Sequence, residues 1–193
     1  MYTNNYCRII ETEESDRFYK DIINLGESSV QREGMIGDDN FGHHKNHVKR
    51  KSIISFLDHE NIKETLSKYI NFANKEQGWN YKLKEFEPLQ YTSYSDGGHY
   101  DWHIDSHPKP YQNNGYVRKL SFTLCLNEGY EGGLFEMSVP GPIREKDKHY
   151  VVGEEWKIGT MIVFPSFLWH KVRPVTKGVR KVLVGWVVGP QWS

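Results

Sequence analysis

Hydrophobic residues recur at helical spacing in two stretches of the first third of the chain. One runs from Glu13 to Leu25 behind an acidic first turn, and the other runs from Glu60 to Ala73. The stretch from Gly26 to Lys51 between them is polar and rich in glycine, which predicts a long loop. A short apolar run at Ile53–Leu57 follows it and predicts a strand. The pattern therefore predicts two amphipathic helices, separated by a loop and one strand.

From Tyr81 onward the pattern changes to alternation of polar and apolar residues, which is typical of strands. Gly-Gly and Pro-Gly pairs at 97–98, 132–133 and 140–141 separate the alternating runs. The clearest runs are 82–87, 119–126 and 179–187. These features predict an α+β, mainly β fold, with an antiparallel barrel or sandwich that the helices cover. A chain of 193 residues suits one domain, with 1–80 as helical and loop support and 81–193 as the β core.

Composition narrows the possible partners and the cell compartment. The chain has 25 basic and 25 acidic residues, so no net charge favours nucleic acid, although a local basic patch is compatible with this balance. Two distant cysteines, Cys7 and Cys125, do not form a disulfide framework. No signal-type apolar segment or membrane span is apparent. We predict a soluble cytoplasmic protein; the sequence does not predict its oligomeric state.

The segment from Tyr94 to Asp105 is the richest in candidate metal ligands. If it is extended, His99, Asp101, His103 and Asp105 share one face, and His103 with Asp105 forms a His-x-Asp pair. Two ligands are too few, so a third must come from elsewhere in the chain. Two histidines and one carboxylate would leave open metal positions, as in non-heme Fe(II) oxygenases. The triplet 99–101 fits the same pattern, and spacing alone does not choose between the two.

A second group of histidines lies at 43, 44 and 47 within the predicted loop. It is compatible with another metal site, but solvated loop histidines are the simpler interpretation. We assign this group no role.

The choice of ligands comes from the C-terminal region, from Gly159 to His170 and on to Trp186. With the earlier segment, this region resembles the 2-oxoglutarate/Fe(II)-dependent dioxygenases, and is most similar to their prolyl-4-hydroxylase-like branch. The resemblance covers about half of the chain, roughly 91–188. The matching motifs are Tyr94, Gly97-Gly98, Tyr100, His103 and Asp105; Arg118-Lys-Leu-Ser121; Gly132-Gly-Leu-Phe135; Phe164-Pro-Ser166; and His170, Pro174-Val175, Gly178 and Arg180.

This resemblance implies a double-stranded β-helix, that is, a cupin-like jelly roll, with supporting N-terminal helices. It implies that His103, Asp105 and His170 bind Fe(II), and that Arg180 binds the distal carboxylate of 2-oxoglutarate, with Tyr94 as a weaker contributor. Dioxygen is the second co-substrate, and ascorbate is an optional addition.

The turn at 174–178 predicts that His170 and Arg180 lie on neighbouring strands, roughly 7–10 Å apart. Tyr100 and Trp186 are interpreted as core or pocket-wall aromatics. Arg118 is interpreted as an ion-pair residue.

The function predicted from the resemblance is hydroxylation of a substrate C–H bond, with decarboxylation of 2-oxoglutarate to succinate. The favoured substrate is a prolyl or other residue of a protein or peptide. The alternatives are a free amino acid, another small molecule or a nucleic acid, or an inactive metal-binding β-barrel that serves as an interaction module. The stretches 26–51 and 144–155 are candidate lids, and 108–116 is a candidate pocket rim.

Overall fold

A computed structural model describes residues 6–37, 43–106, 115–139, 148–152 and 156–191. Two helices lie within these ranges, α1 (Asp16–Ser28) and α2 (Glu60–Glu76). Both predicted helices are therefore confirmed, with shifted ends. Ser15 caps α1 by accepting a hydrogen bond from the Phe18 backbone N–H at 3.3 Å, which explains why the helix begins after the predicted Glu13. No helix among these residues is long and apolar enough to cross a membrane.

Helix α1 continues past Gly26, where the sequence predicted that it would end. A Cβ at Gly26 would lie 2.2 Å from Cγ of Tyr91, so this glycine allows close packing of the helix on the sheet. It is not a stop signal.

The strands of the described chain form two larger antiparallel sheets and two small pairs. The larger sheet has eight strands in the order β1-β14-β10-β17-β8-β6-β2, with β7 paired to β17. Its strands are β1 (Arg8–Glu11), β2 (Arg32–Glu33), β6 (Ile53–Leu57), β7 (Glu85–Phe86), β8 (Leu89–Tyr94), β10 (Tyr116–Cys125), β14 (Thr160–Pro165) and β17 (Arg180–Pro190).

The smaller sheet has five strands in the order β13-β12-β15-β9-β5. Its strands are β5 (Arg50–Lys51), β9 (His99–His103), β12 (Phe135–Val139), β13 (Lys148–Val152) and β15 (Trp169–Val172). The two-stranded pairs are β3 (Ile36–Gly37) with β4 (His43–His44), and β11 (Glu131–Gly132) with β16 (Val175–Lys177).

The larger sheet is buried on both faces, and alternation along its strands separates two cores. On β14, Met161 and Val163 pack with the helices, whereas Ile162 and Phe164 point towards the smaller sheet. The second core also contains Phe135 of β12. The two sheets therefore face each other and enclose a cavity, with the helices on the outer face of the larger one. This arrangement confirms the predicted mainly β jelly roll.

Several boundaries differ from the predictions. The predicted loop at 26–51 contains four short strands, and the predicted strand at 82–87 is a strand only at Glu85–Phe86. The strand at Ile53–Leu57 is confirmed. Of the proposed lid at 144–155, only 148–152 lies within the described residues, as β13. All but the last two residues of the proposed rim at 108–116 lie outside them.

Candidate metal centre and the cavity around it

His103 and His170 lie directly opposite each other on two paired strands. His103 is the last residue of β9, and His170 is its antiparallel partner in β15. Their ring centroids are 4.1 Å apart. Pairing of two strands that are far apart in sequence therefore brings the two imidazoles to one point.

Asp105 joins them from the bend just after β9. Its backbone N–H and that of Ser106 both donate to the carbonyl oxygen of Ser166, each at 2.9 Å. These bonds turn the chain so that the carboxylate of Asp105 lies 3.8 Å from Nε2 of His103 and 3.5 Å from Nε2 of His170. The predicted extended conformation therefore ends at His103, and a turn positions Asp105.

Hydrogen bonds at the far side of each ring fix the tautomers of both histidines. Nδ1 of His103 lies 2.8 Å from the carbonyl oxygen of Asp101, and Nδ1 of His170 lies 2.9 Å from that of Leu168. A carbonyl only accepts, so Nδ1 carries the proton in both rings, and both Nε2 lone pairs face the cluster. Such carbonyl partners are typical of metal-binding histidines.

Electrostatics at this site favour the ligand forms of these side chains. Burial, and then the neighbouring His170, hold the pKa of His103 well below its ordinary value, so its imidazole is neutral. Burial alone would raise the pKa of Asp105, but His170, His103 and Arg118 outweigh it and keep that pKa below its ordinary value.

The three side chains form a donor set that suits Fe(II). Their candidate ligand atoms lie within 4.8 Å of one another. Two imidazoles and one carboxylate on one side of a metal leave positions for other molecules, which is the facial arrangement of non-heme iron oxygenases. The structure therefore brings together all three predicted ligands; their role in binding iron stays a prediction.

Arg180 lies in the same cavity and has no counter-ion among the residues that the structure describes. Its side chain is fully buried, and none of its guanidinium nitrogens has a hydrogen-bond partner among the described residues. The ring centroids of Trp156 and Tyr94 are 4.8 and 5.5 Å from its Cζ. Burial raises the pKa of Tyr130 to about 12 against the opposing charge of Arg180, so Tyr130 supplies no anion either. A buried guanidinium stays protonated and requires an anionic partner, which a bound carboxylate would provide.

The predicted placement of Arg180 relative to His170 is wrong. His170 belongs to β15 of the smaller sheet, whereas Arg180 opens β17 of the larger sheet, where it pairs with Tyr94 of β8. The turn residues between them form β16, which pairs with β11 and carries the chain from one sheet to the other. Arg180 therefore faces the metal ligands across the cavity, and the separation estimated along one sheet does not apply.

The cavity between the sheets has a volume of about 860 Å³ and is lined by the three candidate ligands, Arg180 and Tyr94. Its lining also includes Tyr100 and Trp186, which confirms their interpretation as pocket-wall aromatics. Arg118 forms a two-pronged ion pair with Glu87, with N–O distances of 2.9 and 2.6 Å, as predicted. One further N–H of Arg118 donates to the backbone oxygen of Asp105 at 3.4 Å.

The other histidines that the sequence offered as metal ligands are not part of the described cluster. His99 contacts the carbonyl oxygens of Gly97 and Val48 at 2.9 and 3.0 Å and is not part of the metal cluster. His47 is exposed near Glu33, and the side chains of His43 and His44 lie outside the described residues. Cys7 and Cys125 are both free thiols, in line with the sequence.

Sequence reasoning missed residues that hold the site in shape. Ser166 anchors Asp105 through its carbonyl, and its hydroxyl accepts a hydrogen bond from Ser121 at 2.9 Å. Both serines belong to motifs that carried the resemblance. The sequence therefore marked their positions but did not indicate that they hold Asp105 in place. Arg50, which lies over the ring of Tyr100, had no such signal.

Comparison with known proteins agrees with this geometry. Residues 89–188, just over half of the chain, match the model of the 2OG-Fe(II) oxygenase superfamily. The chain belongs to this superfamily. Membership confirms the predicted requirement for Fe(II), 2-oxoglutarate and dioxygen, whereas ascorbate stays a prediction.

Curated relatives match over the same part of the chain. A PKHD-type hydroxylase of Picosynechococcus is 38% identical over 108 residues, which cover 54% of this chain and 43% of the relative. A PKHD-type hydroxylase of Gloeothece citriformis is 35% identical over 106 residues, covering 54% and 44%. The matched region therefore spans less than half the length of these relatives.

Solved structures share the fold across nearly the whole chain. A viral collagen prolyl hydroxylase from Paramecium bursaria Chlorella virus-1, in complex with 2OG, has a TM-score of 0.63 at 21% identity, and the match covers 95% of this chain and 96% of that one. A Trichoplax adhaerens prolyl hydroxylase, in complex with a hypoxia inducible factor peptide fragment, has a TM-score of 0.64 at 17% identity, covering 95% and 83%. At these identities the likeness concerns the fold.

Proposed function

We propose that this chain is a hydroxylase that uses Fe(II), 2-oxoglutarate and dioxygen to hydroxylate a C–H bond of a prolyl or other residue in a peptide or protein. His103, Asp105 and His170 would hold the iron. Arg180 would bind the distal carboxylate of 2-oxoglutarate. The observation that carries the proposal is a buried guanidinium that has no counter-ion among the described residues and faces a preformed cluster of two histidines and one aspartate across a single cavity.

The protein's own groups would bind and orient the reactants. Both histidines present Nε2 because backbone carbonyls hold Nδ1–H, and Asp105 stays ionised within the cluster. The guanidinium of Arg180 can donate two parallel hydrogen bonds to a carboxylate. Phe135, Phe164 and Val182 line the cavity with apolar surface that excludes water. Bound iron supplies the redox chemistry with dioxygen, while 2-oxoglutarate is decarboxylated to succinate.

The peptide preference rests on likeness to relatives. The curated relatives are named PKHD-type hydroxylases, and the solved neighbours include prolyl hydroxylases, one of them with a peptide bound. Tyr94 lies in the cavity next to Arg180 and would add a hydroxyl donor to the 2-oxoglutarate site. A cytoplasmic location, expected from the sequence, belongs to the same proposal.

An anaerobic titration of the metal-free protein with Fe(II) and 2-oxoglutarate tests the cofactor site. A weak visible charge-transfer band should appear in the wild type and be lost in His170→Ala and Arg180→Gln. Lys181→Gln is the matched control, because Lys181 follows Arg180 directly but points to the other face of β17, where it pairs with Glu27. Its band should be unchanged.

Two outcomes would contradict the proposal. A folded wild-type protein without the band would leave the metal-binding interaction module as the better account. A band that survives His170→Ala would refute the ligand assignment.

If the band behaves as expected, a second experiment tests the substrate class. Succinate release that depends on a proline-containing peptide would distinguish hydroxylation of peptides from the small-molecule and nucleic-acid alternatives.

A further inference from the structure

Arg50 is a second buried cation in the cavity, and none of the described carboxylates forms an ion pair with it. The residue is only 7% exposed and lines the cavity on the side of the smaller sheet. Among the described residues, the acids that line this cavity are Glu87 and Asp105. Glu87 is engaged by Arg118, and Asp105 belongs to the metal cluster. Neither is available to Arg50.

The guanidinium of Arg50 is held in one orientation by several contacts. Its Nε donates to the hydroxyl of Ser52 at 2.9 Å, and its Nη1 donates to the carbonyl oxygen of Met35 at 3.1 Å. A Cβ at Gly34 would lie 2.3 Å from Nε of Arg50 and 2.4 Å from Oγ of Ser52, so a side chain at this position would displace these groups. These contacts fix the side chain, and the two described groups that accept its hydrogen bonds are both neutral.

The remaining N–H groups of Arg50 belong to Nη1 and Nη2 and form one edge of the guanidinium. None of the described residues accepts a hydrogen bond from Nη2, and Nη1 uses one of its hydrogens for Met35. An Nη1–Nη2 edge of this kind presents two parallel donors, which match the two oxygens of a carboxylate. A preorganised fork loses little entropy when such a group binds.

Arg50 lies close to the candidate metal centre. Arg50 pairs with Tyr100 across β5 and β9, and its Cζ lies 4.5 Å from the centroid of the Tyr100 ring. That ring lies 3.5 Å from the ring of His103. The ring of Tyr100 therefore lies between Arg50 and the candidate iron ligand His103. Arg50 belongs to β5 of the smaller sheet, whereas Arg180 belongs to the larger sheet.

We propose that Arg50 is a second anion-binding residue of the cavity and that it recognises a carboxylate of the substrate. The substrate is then an acidic peptide or amino acid, whose carboxylate lies close to the C–H bond that is hydroxylated. This inference rests on the proposed function, because it takes Arg180 as the partner of 2-oxoglutarate. The carboxylate comes either from an acidic side chain or from a free C-terminus, and both present the same chemistry to Arg50.

Paramagnetic line broadening tests this assignment with defined probes. The protein is loaded anaerobically with Mn(II) and saturating 2-oxoglutarate, and the acetyl methyl signals of two matched pairs are recorded. One pair is N-acetyl-L-proline and its amide, which tests the free C-terminus. The other is acetyl-Pro-Glu-amide and acetyl-Pro-Gln-amide, which tests the side chain. In at least one pair, broadening of the anionic member should exceed that of the neutral member by about tenfold.

The Arg50→Gln variant should abolish this preference. Lys51→Gln is the matched control, because it removes the same charge from the next residue, whose ammonium bonds the backbone oxygen of Asp96 at 2.8 Å. Its preference should change by no more than about twofold. Arg50→Met, which keeps a long apolar side chain at this position, replaces Arg50→Gln if that variant does not fold.

Two results would overturn the inference. They are equal broadening within both pairs in the wild type, and a preference for the anion that survives in the Arg50 variants. The Fe(II)–2-oxoglutarate band, measured beforehand, distinguishes this failure from failure of the proposed function. A protein that forms the band but shows no preference for anions is an oxygenase whose substrate lacks the carboxylate.

Discussion

Tyr100 lies flat against the imidazole of His103, with ring centroids 3.5 Å apart and ring planes inclined by 12°. Residues three apart on a regular strand point to opposite faces, so this contact requires an irregularity. The pairing of β9 with β15 supplies it, because Val172 pairs with Tyr100 while His170 pairs with His103. The extra residue on β9 is a β-bulge, which turns both rings to the same side.

We expect the Tyr100 ring to contribute to metal affinity by fixing the plane of the His103 ring. Tyr100→Ala should weaken Fe(II) binding by about tenfold, the lower end of the range for residues that support metal ligands. Tyr100→Phe keeps the ring and should bind Fe(II) within about twofold of the wild type. Anaerobic Fe(II) titration of both variants measures this. Equal affinities in the alanine and phenylalanine variants would show that the stack has no such role.

Arg180 should affect stability and co-substrate binding in opposite directions. Replacement of buried charged groups with apolar side chains is often neutral or stabilising by about 1–4 kcal/mol, and Arg180 has no anionic partner to lose among the described residues. Arg180→Met should therefore leave the metal-free protein at least as stable as the wild type in urea unfolding. The same variant should lose the rise in melting temperature that 2-oxoglutarate produces in the Mn(II)-loaded wild type. A loss of several kcal/mol in the metal-free variant would instead indicate a structural partner for the guanidinium.

The prediction of the metal ligands from the sequence depended more on the surrounding motifs than on the spacing of His and Asp. The triplets 99–101 and 103–105 both fit a His-x-Asp pattern, and alternation alone would have put all four side chains on one face. The bulge between Tyr100 and His103 shows why that assumption fails. The motifs of the resemblance favoured the triplet 103–105, and the structure brings His103 and Asp105 together with His170. The carbonyl of Ser166, which lies in a distant motif, accepts the hydrogen bonds that hold the backbone of Asp105.

Features that depend on contacts between distant segments could not be predicted from periodicity. The turn at 174–178 looked like an ordinary hairpin, yet β16 pairs with β11 and moves the chain to the other sheet. Arg50 lay in a stretch interpreted as loop, and its burial depends on Gly34, Ser52 and Tyr100. By contrast, α2 and β6 were predicted closely, because each has a strong apolar period of its own.

Glu136 should make the stability of the protein sensitive to acid. It is buried on β12 and bonds Arg173 and Lys171, the latter at 2.9 Å. Burial acts to raise the pKa of Glu136, but hydrogen bonds from Lys171 and Arg173 outweigh it and hold the pKa below its ordinary value. A carboxyl with a lowered pKa stabilises the fold above its unfolded pKa, and this contribution is lost as pH falls through the folded pKa.

Glu136→Gln should therefore cost about 1–3 kcal/mol at neutral pH, and its difference from the wild type should shrink below about pH 4.5. Urea unfolding across this pH range measures the difference. Glu131→Gln is the control, since Glu131 forms an exposed pair with Lys177 and its loss should change stability by less than about 1 kcal/mol at any pH. A difference for Glu136→Gln that stays constant with pH would contradict the assignment.

Gly133 connects the turn after β11 to the position of Arg180. Its φ is +64°, and an added Cβ would lie 2.7 Å from Cδ of Arg180 and 3.0 Å from Cγ2 of Val175. Gly133→Ala therefore combines strain of the left-handed backbone with a displaced guanidinium. Gly129 offers a matched comparison, because its φ is +82° and an added Cβ would meet no atom of the described residues within 4 Å. Both alanine variants should lose about 1–2 kcal/mol of stability from the backbone.

Only Gly133→Ala should also raise the concentration of 2-oxoglutarate needed for half-saturation of the charge-transfer band, by about tenfold or more. If both variants need the same 2-oxoglutarate concentration for half-saturation, the position of the Arg180 guanidinium does not determine binding of 2-oxoglutarate. The role assigned to that position would then be wrong.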